Sequence, residues 1–257
     1  MPATRWVFLR GLIRQHRHWE DFPERFQAAF PGTEVITLDL PGNGDLYDRR
    51  SPASITGMVS SVRKQLDQRN IRGPVNVLAL SLGAMTAVEW MERYPAEVER
   101  AVLVNTSLRG MSRFNERLRP ANYIAMLRDL LLNRDPLEHE RLVIGLTTNL
   151  YPDKEGLAQR WAGYTREQPT SRMNLLRQLL AATTYHAPDA RPHEHVLVLQ
   201  SLGDQFANPV CTAQLATTWR WPVVSHPSAG HDLPLDAGDW LIEQIRRWLD
   251  GKLPTSP

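Results

Sequence analysis

The sequence has little of several features that would each define a class of protein. Cys211 is the only cysteine among the 257 residues, which excludes an internal disulfide and a cysteine-rich zinc site. No apolar stretch approaches the roughly 18 residues that cross a bilayer. The four-residue apolar run before Arg10 is too short for the core of a signal peptide. We therefore expect no membrane span and a reducing, cytoplasmic location.

The chain also lacks a large excess of charge of either sign. The 30 basic and 28 acidic side chains leave a formal net charge of +2, which gives no global reason to expect nucleic acid or a membrane surface as a partner. Hydrophobic residues make up 42% of the chain and charged residues 23%, as in ordinary soluble globular proteins. The length is sufficient for one sizeable core, and we find no internal repeat and no low-complexity segment.

Short apolar runs are the main structural signal that is present. Runs that stay apolar at successive positions predict strands buried on both faces, as in a parallel sheet covered by helices. Helical periodicity separates most of these runs, as at residues 55–66 behind the expected N-cap Ser54. The pattern predicts an α/β fold with a doubly wound, mostly parallel sheet of about six strands. The six predicted strands are 6–9, 35–38, 75–80, 101–104, 196–199 and 222–226.

One interval departs from the alternation of strand and helix. Between Val104 and Val196 lie about ninety residues without a convincing strand, with helical patterns at 123–132 and 173–180 and several interrupting prolines. A structureless loop of that length is improbable in a compact domain. We therefore predict a core formed by residues 1–107 and 196–257 and a helical cap at 108–195, inserted after the fourth strand.

A serine lies where the third predicted strand passes into a helix. Ser81 follows the apolar run 75–80 and is flanked two positions away by the small residues Ala79 and Gly83. That spacing is typical of a nucleophile elbow, in which a sharp turn exposes the serine hydroxyl and tolerates only small neighbours. The alternative is an ordinary helix start with serine as N-cap.

An acid and a histidine follow in the order that a serine triad can take. Asp204 comes directly after the fifth predicted strand, and His231 comes in the loop after the sixth. Asp204 could instead be a turn residue, and His226 is a competitor for His231. His226 ends its strand, whereas Gly230 gives His231 freedom to reach inward, and we therefore predict Ser81, Asp204 and His231 as the catalytic residues. Asp232 is taken as a neighbour without a role.

These residues, in this order, resemble the α/β-hydrolase fold enzymes. The resemblance extends to Arg10-Gly11-Leu12-Ile13 after the first strand, which is similar to the oxyanion loop of that family, and to Asp39-Leu40-Pro41-Gly42-Asn43-Gly44, which is similar to its D-x-P-G-x-G loop. The chain has Arg10 where the family usually has histidine, and Ala79 where the elbow usually has glycine. The resemblance implies backbone oxyanion donors at Leu12 and Leu82, a helical cap after the fourth strand and no cofactor.

Two further sets of side chains admit a binding role. Arg10, Arg14 and Arg113 lie on segments expected near the carboxyl edge of the sheet, where they would contact an acidic part of the substrate. The alternative is a solvated helix face and an arginine that pins its loop. Two His-x-His pairs, His16 with His18 and His193 with His195, suggest a metal site, but no third ligand follows at a diagnostic spacing, and we predict no metal.

The resemblance implies hydrolysis of a small-molecule acyl ester or thioester through a Ser-Asp-His triad and an acyl-enzyme. The same triad would also serve an acyltransferase, a lyase or a carbon–carbon bond hydrolase, and a cap with a pocket could belong to a non-catalytic ligand sensor. Met126, Trp161 and Tyr164 of the cap would line an acyl pocket or pack as core. The oligomeric state and the natural substrate are left open.

Overall fold

The computed structural model describes residues 4–132 and 135–253. Its centre is a six-stranded sheet in which every described pair of neighbouring strands is parallel. The strand order is β2-β1-β3-β4-β5-β6. The sheet and its parallel sense confirm the predicted fold class, and five of the six predicted runs fall within the observed strands; the sixth strand begins one residue later than predicted. The strands are β1 Thr4–Leu9, β2 Thr33–Leu38, β3 Val75–Leu80, β4 Val98–Val104, β5 Val196–Ser201 and β6 Val223–His226.

The central strands of the sheet are buried on both faces because their alternate residues enter different cores. In β1, Val7 and Leu9 belong to one apolar cluster, whereas Trp6 and Phe8 belong to the other. This alternation explains why the central strands appear in the sequence as continuous apolar runs. One cluster includes residues of α2, α3 and α9, and the other includes residues of α1 and α10. The sheet-flanking helices are α1 Phe22–Ala29, α2 Ile55–Gln68, α3 Leu82–Arg93, α9 Pro209–Trp219 and α10 Leu233–Leu249.

The interval between β4 and β5 is helical, as predicted. The helices there are α4 Phe114–Arg117, α5 Pro120–Leu132, α6 Pro136–Thr147, α7 Lys154–Glu167 and α8 Arg172–Thr184. Pro120 and Pro136 stand at the first positions of α5 and α6, where the missing amide hydrogen costs nothing. These two of the prolines that interrupt the sequence pattern therefore begin helices. The boundaries of the cap at residues 108 and 195 stay a prediction.

The cap has a small core of its own and a polar tie to the sheet domain. Ile144, Leu157 and Trp161 are fully buried against one another between α6 and α7. From α8, the buried Gln178 accepts a hydrogen bond from the Ile13 amide at 2.9 Å and donates to Asn43 at 2.9 Å. One cap side chain thus fixes both the loop after β1 and the loop after β2.

Local sequence accounts for the ends of several helices. Ser54 caps α2 as predicted, since its side chain accepts a hydrogen bond from the Gly57 amide. Helix α10 begins at Leu233, earlier than the amphipathic pattern from Trp240 indicates, because a kink at Ala237 joins two helical segments. Within the described ranges, no helix is both long and apolar enough to cross a bilayer.

Candidate active site

The site lies at the carboxyl ends of β1 and β3, where the strand order reverses. β1 pairs with β2 on one side and with β3 on the other, so the loops after β1 and β3 leave the sheet side by side. Leu9 is in register with Ala79, and a Cβ added at Gly11 would lie 3.3 Å from the Cβ of Ser81. Ligands of open α/β sheets bind in such a crevice.

Ser81 occupies the turn between β3 and α3 in a strained conformation. Its φ of 56° and ψ of −111° lie outside the regions that L-residues favour. The bonds that hold the residue use its backbone: its amide donates to the Val104 carbonyl at 2.9 Å, and the Thr106 hydroxyl donates to its carbonyl at 3.0 Å. The Ser81 hydroxyl hydrogen-bonds to none of the described residues, and it faces a cavity of about 330 Å³.

The turn at Ser81 requires a glycine two residues later. A Cβ at position 83 would lie 2.4 Å from the Leu9 carbonyl oxygen and 2.7 Å from the Arg10 carbonyl oxygen. Both obstacles are backbone atoms, so neither could move aside cheaply. The small residue in the sequence pattern is therefore explained by the close approach of α3 to the end of β1.

Asp204 and His231 are in direct contact. His231 Nδ1 lies 2.6 Å from Asp204 Oδ2, and both side chains are buried. The other carboxylate oxygen, Oδ1, accepts hydrogen bonds from the amides of Phe206 and Ala207 at 2.8 and 2.9 Å. These bonds orient the carboxylate toward the imidazole. His231 lines the same cavity as Ser81, and the Phe206 ring packs against it with centroids 4.9 Å apart.

The competing histidine occupies a different place. The His226 Nδ1 accepts a hydrogen bond from the Ala229 amide at 2.9 Å, and its ring packs on Trp240 at 5.1 Å. His226 is not among the residues that line the cavity.

The two amides expected to stabilise an oxyanion flank the serine. Leu82 is the first residue of α3, so its amide has no intrahelical acceptor. Leu12 lies in a turn closed by a hydrogen bond from the Arg14 amide to the Gly11 carbonyl at 3.3 Å. Neither Leu12 nor Leu82 donates its amide hydrogen to an acceptor in the described ranges. Leu12 lines the cavity, and the role of the two amides as oxyanion donors stays a prediction.

Two residues that sequence reasoning missed hold the loop that carries His231. Asn105, with φ of 43° at the end of β4, donates to the His231 carbonyl at 2.8 Å and accepts from the Ser201 amide. Asp236, in the first turn of α10, accepts from the Gly230 amide at 2.6 Å and from the amide of Asn149 in the cap at 2.7 Å. The histidine loop is therefore fixed to β4, β5 and the cap together.

The three arginines expected to contact a substrate anion are placed differently from one another. Arg10 is buried and binds Asp232 through two hydrogen bonds of 3.0 and 2.5 Å. Arg14 is buried and donates to Glu140 of α6 at 2.7 Å. Arg113 is exposed and does not line the cavity. Asp232, for which the sequence indicated no role, is therefore half of a buried ion pair that joins the β1 loop to the histidine loop.

Cap residues form much of the cavity wall. Met126 of α5 lines the cavity, as do several residues of α6, including Glu140 and Val143. Trp161 instead packs in the core of the cap, and Tyr164 does not line this cavity. Of the three cap residues that the sequence offered for an acyl pocket, Met126 therefore lines the cavity and the other two do not.

His16 belongs to a separate cluster outside the cavity. Its Nδ1 lies 2.7 Å from Asp39 Oδ2, and this hydrogen bond is the main cause that raises the pKa of His16. In the described ranges, His16, Asp39 and Asp45 form the one group with atoms close enough to share a metal ion. Asp39 already accepts hydrogen bonds from the amides of His16 and Asp45, which is the role of a loop anchor.

Comparison with known proteins agrees with this architecture. The family model described as "Alpha/beta hydrolase family" matches residues 6–244. The chain belongs to the α/β-hydrolase family. The enol-lactonase from Burkholderia xenovorans LB400 has a similar fold, with a TM-score of 0.76 at 18% identity over 96% of this chain and 92% of that one.

Two curated proteins match shorter segments. Protein ABHD14A of Danio rerio is 28% identical over 98 residues, which are 38% of this chain and 36% of that protein. A poly(3-hydroxyalkanoate) depolymerase of Ectopseudomonas oleovorans is 32% identical over 81 residues, 32% of this chain and 28% of that protein. The matched segments thus span about a third of the length of these relatives.

Proposed function

We propose that this chain is a serine hydrolase that cleaves a carboxylic ester or thioester, with Ser81 as nucleophile, His231 as general base and Asp204 as the residue that orients it. The observation that carries the proposal is the buried 2.6 Å contact between His231 Nδ1 and Asp204 Oδ2, beside a strained serine that opens on the same cavity. Membership of the α/β-hydrolase family supports hydrolysis as the reaction class.

The Asp204 contact determines which nitrogen of His231 can act as the base. A carboxylate bound at Nδ1 holds the proton of the neutral ring there and leaves Nε2 free to accept one. Serine is a weak nucleophile at neutral pH, and His231 Nε2 would take the Ser81 proton as the oxygen attacks the substrate carbonyl. The resulting imidazolium is stabilised by Asp204.

The amides of Leu12 and Leu82 would receive the oxyanion of the tetrahedral intermediate. Each such donor contributes about 3 kcal/mol to transition-state stabilisation in acyl transfer. The intermediate collapses to an acyl-Ser81 ester, and His231 returns its proton to the departing alcohol or thiol. Water, activated by His231, then attacks the acyl-enzyme and releases the acid. These steps require only groups of the chain and water.

The test is hydrolysis of p-nitrophenyl butyrate and of a butyryl thioester, with product analysis. Ser81→Ala should lose all turnover above background, and Asp204→Asn should lower kcat on the order of 10⁴-fold because the amide favours the wrong imidazole tautomer. Ser60→Ala and Asp250→Asn, at exposed positions in α2 and after α10, are the matched controls and should keep wild-type rates.

Activity of Ser81→Ala equal to that of the wild type would refute the proposal, as would an Asp204→Asn variant within a few-fold of wild type. Transfer of the butyryl group to an added alcohol in preference to water would assign the triad to acyl transfer and would contradict ester hydrolysis as the function.

A further inference from the structure

Four buried nitrogen atoms on the segment after β1 lack acceptors in the described part of the chain. One is Trp19 Nε1, whose residue does not line the cavity, and the other three are Arg10 Nε, Arg14 Nη2 and His18 Nε2. All three residues line the cavity that Ser81 faces, and their exposed fractions are 2%, 8% and 2%. An N–H group that is buried without an acceptor costs free energy, and an oxygen of a ligand in the cavity would supply the acceptor that these groups lack.

Arg14 and His18 each use another nitrogen in a hydrogen bond within the protein, and these bonds determine which N–H group of each residue is left for a ligand. Arg14 Nη1 donates to Glu140 at 2.7 Å, so Nη2 is left over. His18 Nδ1 accepts a hydrogen bond from the Gln15 amide at 2.9 Å, so the neutral ring carries its proton on Nε2. Burial, and then the charges of Arg14 and Arg10, hold the pKa of His18 well below its ordinary value. At neutral pH, His18 therefore offers an uncharged N–H donor.

The two residues are held in one place by a shared neighbour. The Arg14 guanidinium lies 4.8 Å from the ring centroid of Trp161, and the His18 ring lies 4.4 Å from it in an edge-on contact. Trp161 is itself fully buried in the core of the cap. The donors are therefore fixed before a ligand arrives, which lowers the entropic cost of binding.

The charge on the cavity wall decides which kind of oxygen fits. The positive charges of Arg10 and Arg14 are each matched by a buried carboxylate, Asp232 and Glu140. Around the whole cavity, arginines and carboxylates are nearly balanced: Arg10, Arg14 and Arg172 against Asp129, Asp135, Glu140 and Asp232. A substrate carboxylate would lose its hydration and gain no unpaired cation in the buried part of the wall. A neutral carbonyl oxygen can accept the same N–H groups at a smaller desolvation cost.

We infer that Arg14 Nη2 and the Nε2–H of His18 form a subsite for an uncharged carbonyl oxygen, so that the substrate is an ester or thioester carrying a second, neutral carbonyl group. This inference rests on the proposed function for the ester itself. It replaces the acidic substrate that the arginines suggested from the sequence, because the structure pairs both buried arginines with carboxylates.

The experiment measures binding to the Ser81→Ala protein by calorimetry, so that it does not depend on turnover. Methyl octanoate is compared with methyl esters that carry an oxo group at positions 4 to 7 of the acyl chain, and with octyl acetates that carry it at positions 4 to 7 of the alcohol chain. Monomethyl octanedioate is the charged probe. We expect the best oxo ester to bind about tenfold more tightly than its parent ester, the effect of one or two net hydrogen bonds.

Two variants remove one donor each and keep the local structure. In His18→Asn, the side-chain oxygen can still accept from the Gln15 amide, but the ring N–H is gone; Arg14→Lys keeps a cation for Glu140 but has no second nitrogen. Each should reduce the tenfold preference to about threefold or less. Arg17→Lys is the control, since Arg17 is on the same loop, pairs with Glu167 and does not line the cavity.

Equal binding of every oxo ester and its parent would overturn the inference, and this comparison requires no donor variant to fold. Tighter binding of monomethyl octanedioate than of any oxo ester would also overturn it, since the site would then select charge. A preference that survives in both His18→Asn and Arg14→Lys would place the carbonyl elsewhere and contradict the assignment. Failure of the wild-type chain to hydrolyse esters would refute the proposed function alone, because binding is measured without catalysis.

Discussion

The buried ion pair between Arg10 and Asp232 provides a quantitative test of how the site is built. The two residues are 2% and 4% exposed, and 222 positions separate them in the sequence. Asp232→Ala would leave the Arg10 guanidinium buried without its counter-charge, although the Trp19 ring 4.8 Å away would still face it. Removing one partner of a buried ion pair costs about 3–5 kcal/mol. Since a domain is stabilised by about 5–15 kcal/mol in all, the loss should be large.

The assay is urea unfolding followed by far-UV circular dichroism. Asp232→Ala should lower the free energy of unfolding by about 3–5 kcal/mol, whereas the double variant Arg10→Met with Asp232→Leu should recover most of that loss, because it removes both charges and fills the space with apolar groups. Glu243→Ala is the control: its pair with Arg246 is about half exposed on both sides and should be worth less than about 1 kcal/mol. An Asp232→Ala variant within 1 kcal/mol of wild type, or a double variant as unstable as the single one, would refute the reasoning.

Two further predictions concern the elbow and the loop after β2. Gly83→Ala should lower the free energy of unfolding by at least about 1–3 kcal/mol, because its Cβ would overlap two backbone oxygens. Gly163→Ala is the control: a Cβ at this position in α7 would have no neighbour within 4 Å, and the change should raise the free energy of unfolding by about 0.5–1 kcal/mol. Equal effects of the two changes in thermal melts would contradict the packing described for the elbow. The pKa of His16 is raised above its ordinary value of 6.5 by Asp39, so the protonated form stabilises the fold. That contribution is complete below pH 6.5 and is lost as the pH rises through the raised pKa. His16→Gln should therefore destabilise the chain more at pH 5.5 than at pH 9, and urea titrations that show a pH-independent difference would argue against the His16–Asp39 pair.

The sheet and the elbow were accessible to sequence reasoning because their signals are local. A strand buried on both faces must be apolar at successive positions, and the central strands from β3 to β5 meet that requirement. The turn at Ser81 requires a small residue two positions after the serine, because a Cβ at Gly83 would overlap the backbone at the end of β1. Each of these features is contained in a few consecutive residues.

The polar ties that fix the site have no such local signature. Asp232 pairs with Arg10 across 222 positions, and Gln178 reaches the Ile13 amide across 165. Asp236 stands in the first turn of a helix, where acidic residues are common because their negative charge interacts favourably with the helix dipole. In the structure it instead binds backbone amides of two separate loops. Because each of these contacts depends on the assembled fold, sequence patterns predict candidate catalytic residues along the chain but not what holds them in place.

The two neighbouring histidines, His16 and His18, show that sequence patterns also fail to predict the protonation behaviour of a side chain. The sequence indicated a histidine near another histidine and raised the question of a metal. In the structure, His16 and His18 face different surroundings: His16 contacts Asp39, and His18 is buried beside Trp161. Burial and neighbouring arginines, which the sequence does not reveal, lower the pKa of one histidine, while a carboxylate raises the pKa of the other.

The most direct measurement for the proposed function is covalent labelling with a fluorophosphonate, read by intact-mass spectrometry and peptide mapping. The proposed triad predicts a single adduct on Ser81 in the wild-type chain, no adduct in Ser81→Ala, and much slower labelling in Asp204→Asn because the base is misoriented. Equal labelling of the wild type and Ser81→Ala would contradict the assignment of Ser81 as nucleophile, as would a folded wild-type chain that the probe leaves unmodified.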